Sequence, residues 1–240
     1  MLGCGLQTDL PQSSAASTVE RLLALANSHA CSSHALFDLL ENANLSDMQV
    51  AALLRNYDAH ASVLRRLLLN AASIMPEEAV PFVLENVRNE YGNGDYAGNH
   101  QDQLRDLAWS CGISKEQFFA VEIKKGIRDF IKSASQFYSP KGRLPSGMKR
   151  AAIVAGAITA TELLAIKEFA QMQKAFASRK QQHHIWFHHV SIEQEHFDES
   201  MALALFFADK NDQSNAVEFG LNGVLSANVR LYDGLLESLQ

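Results

Sequence analysis

Apolar residues recur along this chain at intervals of three and four, which is the spacing of one face of an α-helix. Convincing strand patterns, in which apolar and polar residues alternate, are absent from the sequence. Residues of the N-cap type precede several helical segments, as Ser46 does before a segment that runs to about Ala72. The predicted helices span residues 17–29, 32–44, 46–72, 76–91, 97 onwards, 114–138 with a break, 145–176, 184–209 and 213–238. The sequence therefore predicts an all-α protein with about seven to nine helices.

Proline and glycine mark the expected limits of the helix over residues 76–91. Pro76 suits the first turn of a helix, where its missing N–H costs no hydrogen bond. Gly92 and Gly94 then end the segment, and a new helix begins near Ala97. No linker, internal repeat or low-complexity tract divides the chain. We expect a flexible lead-in over residues 1–16 and a single helical domain over residues 17–240.

Composition narrows the classes of function. The 240 residues carry a net charge of −6, and no run of Lys and Arg exceeds two residues, which argues against a nucleic-acid partner. The uncharged run over residues 151–161 is too short to span a membrane. The cysteines, Cys4, Cys31 and Cys111, form no Cys-x-x-Cys pair, which argues against a disulfide framework and a zinc ribbon. We expect a cytoplasmic protein whose partner is a small molecule.

The strongest chemical signal lies in the last third of the chain, where His189, Glu193 and His196 follow the spacing i, i+4, i+7. On a helix, at about 100° per residue, these three side chains lie within roughly 60° of one another. One helix face therefore offers a metal ion two imidazoles and a carboxylate. The alternative is a partly exposed helix whose histidines make ordinary hydrogen bonds.

Two glutamates stand out against apolar surroundings. Glu162 is the one charged residue between positions 151 and 166, and a buried carboxylate requires a cation, hydrogen bonds or a proton. Glu90 ends an apolar stripe that begins at Val80, which predicts that its side chain points inward. The alternatives are a Glu162 paired with Lys or Arg at the edge of its helix, and a solvated Glu90 at a frayed helix end.

His100 follows Glu90 by ten residues, across the predicted turn, so two successive helices could bring the two side chains together. With the other candidates they make three carboxylates and three imidazoles. Such donors suit iron or manganese better than a structural zinc site, which usually has four ligands and often cysteine. The candidate metal ligands are Glu90, His100, Glu162, His189, Glu193 and His196.

These six residues resemble the ligand pattern of the heme-oxygenase-like diiron oxidases and oxygenases, which share the fold of the TenA, PqqC and CADD proteins. That pattern is a Glu and a His from successive helices, a lone Glu on a later apolar helix, and His-x-x-x-Asp/Glu-x-x-His. The resemblance covers residues 50–210 and favours the cyanobacterial-type branch of small single-domain members. It departs from the pattern at Glu193, where Asp is usual. Where some members carry a further ligand, the chain offers only Asp58 and His60.

The resemblance implies a heme-oxygenase-like helical bundle that binds two Fe(II) ions, or manganese in one site, and activates O2. It implies oxidation of a small amino acid or a derivative in specialised metabolism, by N-oxygenation, C–C cleavage or formation of a nitrile or alkene. An external electron donor and a homodimer are compatible with it. Nucleic-acid and membrane partners are not expected.

Three alternatives compete with this interpretation. A TenA-like hydrolase without a metal would use a nucleophilic thiol, for which Cys111 is the candidate. A non-catalytic helical protein would bind the metal for stability alone. A ferritin-like carboxylate bundle requires two Glu-x-x-His motifs, and the sequence supplies only the one that ends at His196.

Overall fold

The computed structural model describes residues 12–95, 98–209 and 211–240, and for residues 12–14 and 189–196 it describes the backbone alone. Within these ranges the regular structure is helical, and one isolated bridge joins Tyr91 to Asn99. The prediction of an all-α protein is confirmed. The described helices are α1 (Gln12–Ser28), α2 (Ala35–Glu41), α3 (Asp47–Ala72), α4 (Val80–Glu90), α5 (His100–Ser110), α6 (Lys115–Ala120), α7 (Lys125–Tyr138), α8 (Arg150–Ala175), α9 (His189–Ala208) and α10 (Ser214–Ser238).

The described helices number ten rather than seven to nine, because the segment predicted over 114–138 is two helices. Buried Asn56, on α3, explains the break. Its side-chain oxygen accepts a hydrogen bond of 2.8 Å from the backbone N–H of Lys124, and its amide donates over 3.4 Å to the carbonyl of Glu122. A side chain from a distant helix thus satisfies backbone groups at the break between α6 and α7.

Several helix starts differ from the predicted positions by three or more residues, among them those of α2 (Ala35, predicted 32), α5 (His100, predicted 97) and α9 (His189, predicted 184). The first described helix, α1, begins at Gln12 rather than near residue 17, and residues 1–11, where most of the expected lead-in falls, lie outside the described chain. α4 begins at Val80. Pro76 belongs to the preceding turn, where its carbonyl oxygen accepts hydrogen bonds from the backbone N–H groups of Ala79 and Val80, and Pro81 is the proline in the first turn of α4. α8 begins at Arg150 rather than 145, after a turn in which Gly147 has a φ of 78°.

α8 runs through the core and packs against α10, α9, α2 and α7. Two glycines allow the backbones of α8 and α10 to approach closely. A Cβ atom on Gly156 would lie 1.9 Å from the carbonyl oxygen of Val217, and one on Gly220 would lie 1.9 Å from that of Ile153. This contact helps to bury the apolar run of α8, and Glu162 on the same helix is buried with it.

The second layer is built on α3, which packs against α7, α4 and α5. Ser46 caps α3, as predicted, in a reciprocal pair of hydrogen bonds with Gln49. α9 closes the bundle by packing against α8 and α4. None of the described helices is long and apolar enough to cross a membrane.

Candidate metal centre

A cavity of roughly 100 Å³ lies between α3, α4, α5, α7, α8 and α10. Its described walls are mainly apolar, with Leu64, Leu104 and Phe130 among them. Three of the six candidate ligands line it, and each comes from a different helix: Glu90 from α4, His100 from α5 and Glu162 from α8. The structure therefore brings residues that are 72 positions apart in sequence (Glu90 and Glu162) to one enclosed space.

Glu90 and His100 are adjacent, with Nδ1 of His100 3.3 Å from Oε1 of Glu90. The turn between α4 and α5 produces this contact. Gly92 has a φ of 83°, and a Cβ atom there would lie 2.1 Å from the carbonyl oxygen of Asp95, so only glycine fits. Asn99 caps α5 by accepting a hydrogen bond from the backbone N–H of Gln101. The expected juxtaposition of Glu90 and His100 across the turn is confirmed.

Glu162 is buried, with 7% of its surface exposed. The amide of Asn86 donates a hydrogen bond to it, from Nδ2 to Oε1, over 3.2 Å. Burial, and after it the nearby carboxylates of Glu90 and Glu199, raise the pKa of Glu162 to about 8, while the Asn86 hydrogen bond opposes the shift. The structure thus places Glu162 in the interior and not at a solvated helix edge.

The side chains of His189, Glu193 and His196 lie outside the described residues, so their role as ligands stays a prediction. The backbone of these positions forms the first turns of α9. That helix packs against α8, which carries Glu162, and against α4, which carries Glu90. Among the side chains that the structure describes, no group of three His, Cys, Asp or Glu residues is close enough to hold a metal ion.

Two buried polar residues of the site were not predicted from the sequence. Asn86 lies one turn before Glu90 on α4, and this i, i+4 spacing was a signal that could have revealed it. Glu168 lines the cavity and accepts hydrogen bonds from the phenol groups of Tyr57, over 3.1 Å, and Tyr232. Burial raises the pKa of Glu168, although both phenols oppose that shift. Nothing in the sequence separates Glu168 from a solvated glutamate.

The two residues considered for a further ligand have different surroundings. Asp58 is an ion-pair partner of Arg105, with Nε 2.9 Å from Oδ1, and of Arg55, and it is not among the described residues that line the cavity. His60 does line the cavity and is 2% exposed. Burial lowers the pKa of His60 to about 3, against the opposing effect of the Asn56 carbonyl, so its imidazole is neutral.

Cys111 lies at the C-terminal cap of α5, half-buried, and is not among the described residues that line the cavity. Burial raises the pKa of its thiol. A nucleophilic cysteine requires the opposite shift, because the thiolate is the reactive form. These observations give no support to thiol chemistry at this cavity.

The described side chains that line the cavity include metal-binding groups of the types that bind iron. Glu90, Glu162 and Glu168 place three carboxyl groups on one small cavity, with the imidazoles of His100 and His60. Carboxylates crowded in a medium of low polarity repel one another unless protons or cations neutralise them. Oxygen and imidazole donors without thiolate are typical of non-heme iron and manganese sites.

A family model described as iron-containing redox enzyme matches residues 51–228 of the sequence. The chain belongs to this family of iron-containing redox enzymes. The match covers the helices from α3 to most of α10 and therefore every described residue that contributes a donor to the cavity. No curated protein matches the sequence.

Solved structures show the same fold at low sequence identity. A CADD-like protein of unknown function from Nostoc punctiforme is 15% identical, with a TM-score of 0.75 over 95% of this chain and 100% of that chain. A domain of unknown function with a heme oxygenase-like fold from Shewanella denitrificans is 10% identical, with a TM-score of 0.66 over 96% of this chain and 94% of that chain. A TenA homolog from Pseudomonas syringae is 13% identical, with a TM-score of 0.66 over 93% of this chain and 95% of that chain. The fold is thus heme oxygenase-like, as the resemblance implied.

Proposed function

We propose that this member of the iron-containing redox enzymes is a non-heme diiron oxidase or oxygenase that uses O2 to oxidise a small amino acid or a derivative of one. The observation that carries the proposal is the convergence of Glu90, His100 and Glu162 on one enclosed cavity. The histidines and glutamate of the His189, Glu193, His196 motif complete the proposed ligand set. Their helix packs against the two helices that carry Glu90 and Glu162, which supports the assignment.

The electrostatics of the cavity support two metal ions rather than one. Three carboxylates from Glu90, Glu162 and Glu193 leave a charge of +1 when two divalent cations are bound. With one divalent cation the same three ligands would leave −1, which would repel an anionic substrate or an oxygen-derived anion, whereas a charge of +1 attracts it. The pKa of Glu162, raised to about 8 by burial and by neighbouring carboxylates, records how unfavourable its ionised form is without a cation.

Iron bound here would activate O2. The protein would hold the reactants in place, set the polarity of the site and limit the water in it. Glu90 and His100 would hold one metal, and Glu162 would be a further carboxylate ligand. Asn86 fixes the orientation of the Glu162 carboxylate through its hydrogen bond. The apolar walls limit the access of bulk water to the site, in which 32% of the Glu90 side chain is exposed.

The cavity sets the scale of the substrate. At roughly 100 Å³ it leaves no room for a long acyl chain beside its polar groups. A small amino acid brings an amine and a carboxylate close to the metals, which makes its nitrogen or its α-carbon the position to be oxidised. N-oxygenation, C–C cleavage and formation of a nitrile or alkene are the reaction types within this proposal.

The test is O2 consumption by protein loaded anaerobically with Fe(II), with each of the standard amino acids in turn. We expect one or a few amino acids to accelerate O2 consumption with formation of an oxidised product. Glu162→Gln should reduce that rate by more than about 100-fold, since even residues that only support a metal ligand contribute about 10- to 100-fold. Glu78→Gln, at an exposed position before α4, is the matched control and should leave it unchanged.

The same assay separates the competing functions. A non-catalytic metal protein would bind iron and gain stability without consuming O2 in response to any amino acid. A hydrolase that depends on a thiol would lose its activity in Cys111→Ser, whereas the proposed oxidase keeps its rate in that variant. Loss of O2 consumption in Cys111→Ser would therefore count against the diiron assignment.

A further inference from the structure

Arg65, on α3, extends its side chain into the wall of the cavity. Two neighbours hold the guanidinium group. Its Nη1 donates a hydrogen bond of 2.8 Å to the side-chain oxygen of Asn99, and its central carbon lies 4.3 Å from the centre of the Tyr91 ring. Both neighbours are uncharged, so Arg65 is oriented without being neutralised.

The other arginines near the site are paired with a carboxylate. Arg105 and Arg55 both bind Asp58, which is buried, and this pairing satisfies their charge. Arg65 forms no ion pair with any side chain in the described part of the chain. A guanidinium group has five N–H donors, and the contact with Asn99 uses one of them. The remaining donors form a planar fork that matches the two oxygens of a carboxylate.

Arg65 has a distinct charge among the described residues of the cavity wall. Glu90, Glu162 and Glu168 contribute carboxyl groups to the wall, and His60 is neutral. Within that described wall Arg65 is the one permanent cation. An anionic ligand that enters the cavity therefore meets one protein group that attracts it independently of any metal.

The two neighbours that hold Arg65 are next in sequence to two of the proposed metal ligands. Asn99, which it binds, immediately precedes His100, and Tyr91, on which it stacks, immediately follows Glu90. A carboxylate bound to Arg65 thus lies at the end of the cavity where Glu90 and His100 meet. Leu64 and Leu68, on the same helix, offer an apolar wall to the rest of the molecule.

We infer that Arg65 is the residue that binds the substrate carboxylate, and that the substrate class is small molecules with a free carboxylate. The inference rests on the proposed function for the identity of the cavity as a substrate site. On this inference, Arg65 is the reason that the protein binds an acid more tightly than an amine or amide of the same size. It excludes esters, amides and decarboxylated amines as good substrates.

Binding measurements on the 240-residue chain test the inference without reference to turnover. The probes are two acids and their decarboxylated partners, L-alanine with ethylamine and L-valine with isobutylamine, together with butyrate. Calorimetry and thermal shift are recorded with the metal-free and the Fe(II)-loaded protein under anaerobic conditions. We expect the acids to bind the wild-type protein and raise its Tm, and the amines to bind at least about tenfold more weakly, as loss of a hydrogen-bonded charge predicts.

Three variants of α3 give the comparison. Arg65→Met should weaken the binding of each acid at least about tenfold and leave the binding of the amines unchanged. Arg65→Lys keeps the charge without the planar fork and should lose less affinity. Arg66→Met removes the same charge from an exposed neighbour on the same helix and should behave as the wild-type protein does.

A merely structural role for Arg65 gives a different result. If Arg65 only holds Asn99 at the start of α5, Arg65→Met weakens acids and amines equally, and that outcome overturns the inference. Wild-type protein that binds none of the acids, or binds acids and amines equally, overturns it too.

The failure of this inference can be distinguished from failure of the proposed function. If the wild-type protein loads iron and consumes O2 while Arg65→Met keeps its preference for acids, the carboxylate anchor is wrong and the oxidase stands. If the protein loads no iron but prefers acids through Arg65, the anchor stands and the oxidase is wrong.

Discussion

The amide of Asn86 donates a hydrogen bond of 3.2 Å to the carboxylate of Glu162, and both residues are buried. The bond joins α4 to α8, which are the helices that carry Glu90 and Glu162. It orients one proposed metal ligand from the helix that supplies another. An amide donor also favours the ionised form of the carboxyl group, which is the form that binds a metal.

Asn86→Leu should weaken iron binding about 10- to 100-fold, because the variant removes the donor that orients Glu162 while it keeps a side chain of similar size. Anaerobic titration with Fe(II) measures the affinity. Glu85→Gln, on the exposed side of the same helix, is the control and should bind iron as the wild-type protein does. Equal affinity in Asn86→Leu and the control would show that the hydrogen bond does not support a ligand.

The stability of the metal-free protein should depend on pH through Glu162. Its pKa is raised from an ordinary value of 4.5 to about 8 by burial and by neighbouring carboxylates. Between those values the folded protein keeps a proton that the unfolded chain has released. The free energy of unfolding therefore falls as the pH rises from about 4.5 to about 8, by at most about 1.4 kcal/mol per pH unit for this group.

Glu162→Gln has no proton to release at this position, so its free energy of unfolding should fall less over the same range. Urea denaturation of both metal-free proteins at pH values from about 5 to about 8 measures the difference. Glu168 is present in both proteins, so its own pH dependence cancels apart from its electrostatic coupling to Glu162. Parallel curves would show that Glu162 titrates in the folded protein as it does in the unfolded chain.

Asp58→Asn should destabilise the fold by about 3 kcal/mol, because it removes the charge that Arg105 and Arg55 share. Asp58 also accepts a hydrogen bond of 3.0 Å from Gln101, next to His100, so the variant should loosen the start of α5 and weaken iron binding as well. Urea denaturation measures the stability, and Fe(II) titration measures the affinity.

Asp102→Asn is the matched control for Asp58→Asn. Asp102 lies on α5, 3.9 Å from Arg105, and 43% of its side chain is exposed. Exposed ion pairs contribute little, so we expect a loss below about 1 kcal/mol. A similar loss in both variants would contradict the structural role given to the buried carboxylate.

Gly156→Ala should destabilise the protein by about 1 to 3 kcal/mol or more, because the added Cβ would lie 1.9 Å from the carbonyl oxygen of Val217. The backbones of α8 and α10 must separate to admit it. Since α8 carries Glu162, the variant should also lower the amount of iron bound at saturation. A variant as stable as the wild-type protein would contradict the close contact between the two helices.

Local signals in the sequence were enough for much of the fold. The start of α3 at Asp47 follows from Ser46 and Gln49, which cap the helix without help from elsewhere in the chain. The break between α6 and α7 could not be predicted in position, because Asn56 causes it from a point 68 residues from Lys124. The predicted start of α4 was wrong because either of two prolines could occupy the first turn, and it is Pro81 rather than Pro76 that does so.

In the site, too, contacts between residues close in sequence could be predicted, and contacts between distant helices could not. Glu90 and His100 could be paired from sequence because a short turn joins their helices. Arg65 could not be assigned to the cavity, since its neighbour Arg66 has the same chemistry and only the packing of α3 against α4 and α5 separates them. The role of Glu168 likewise depends on phenols from α3 and α10.

Iron content measured after anaerobic loading with Fe(II) and removal of excess metal tests the diiron assignment most directly. We expect two irons per chain in the wild-type protein and a loss of at least one in Glu162→Gln. A wild-type protein that retains one iron or none, while it remains folded, would contradict the dinuclear centre.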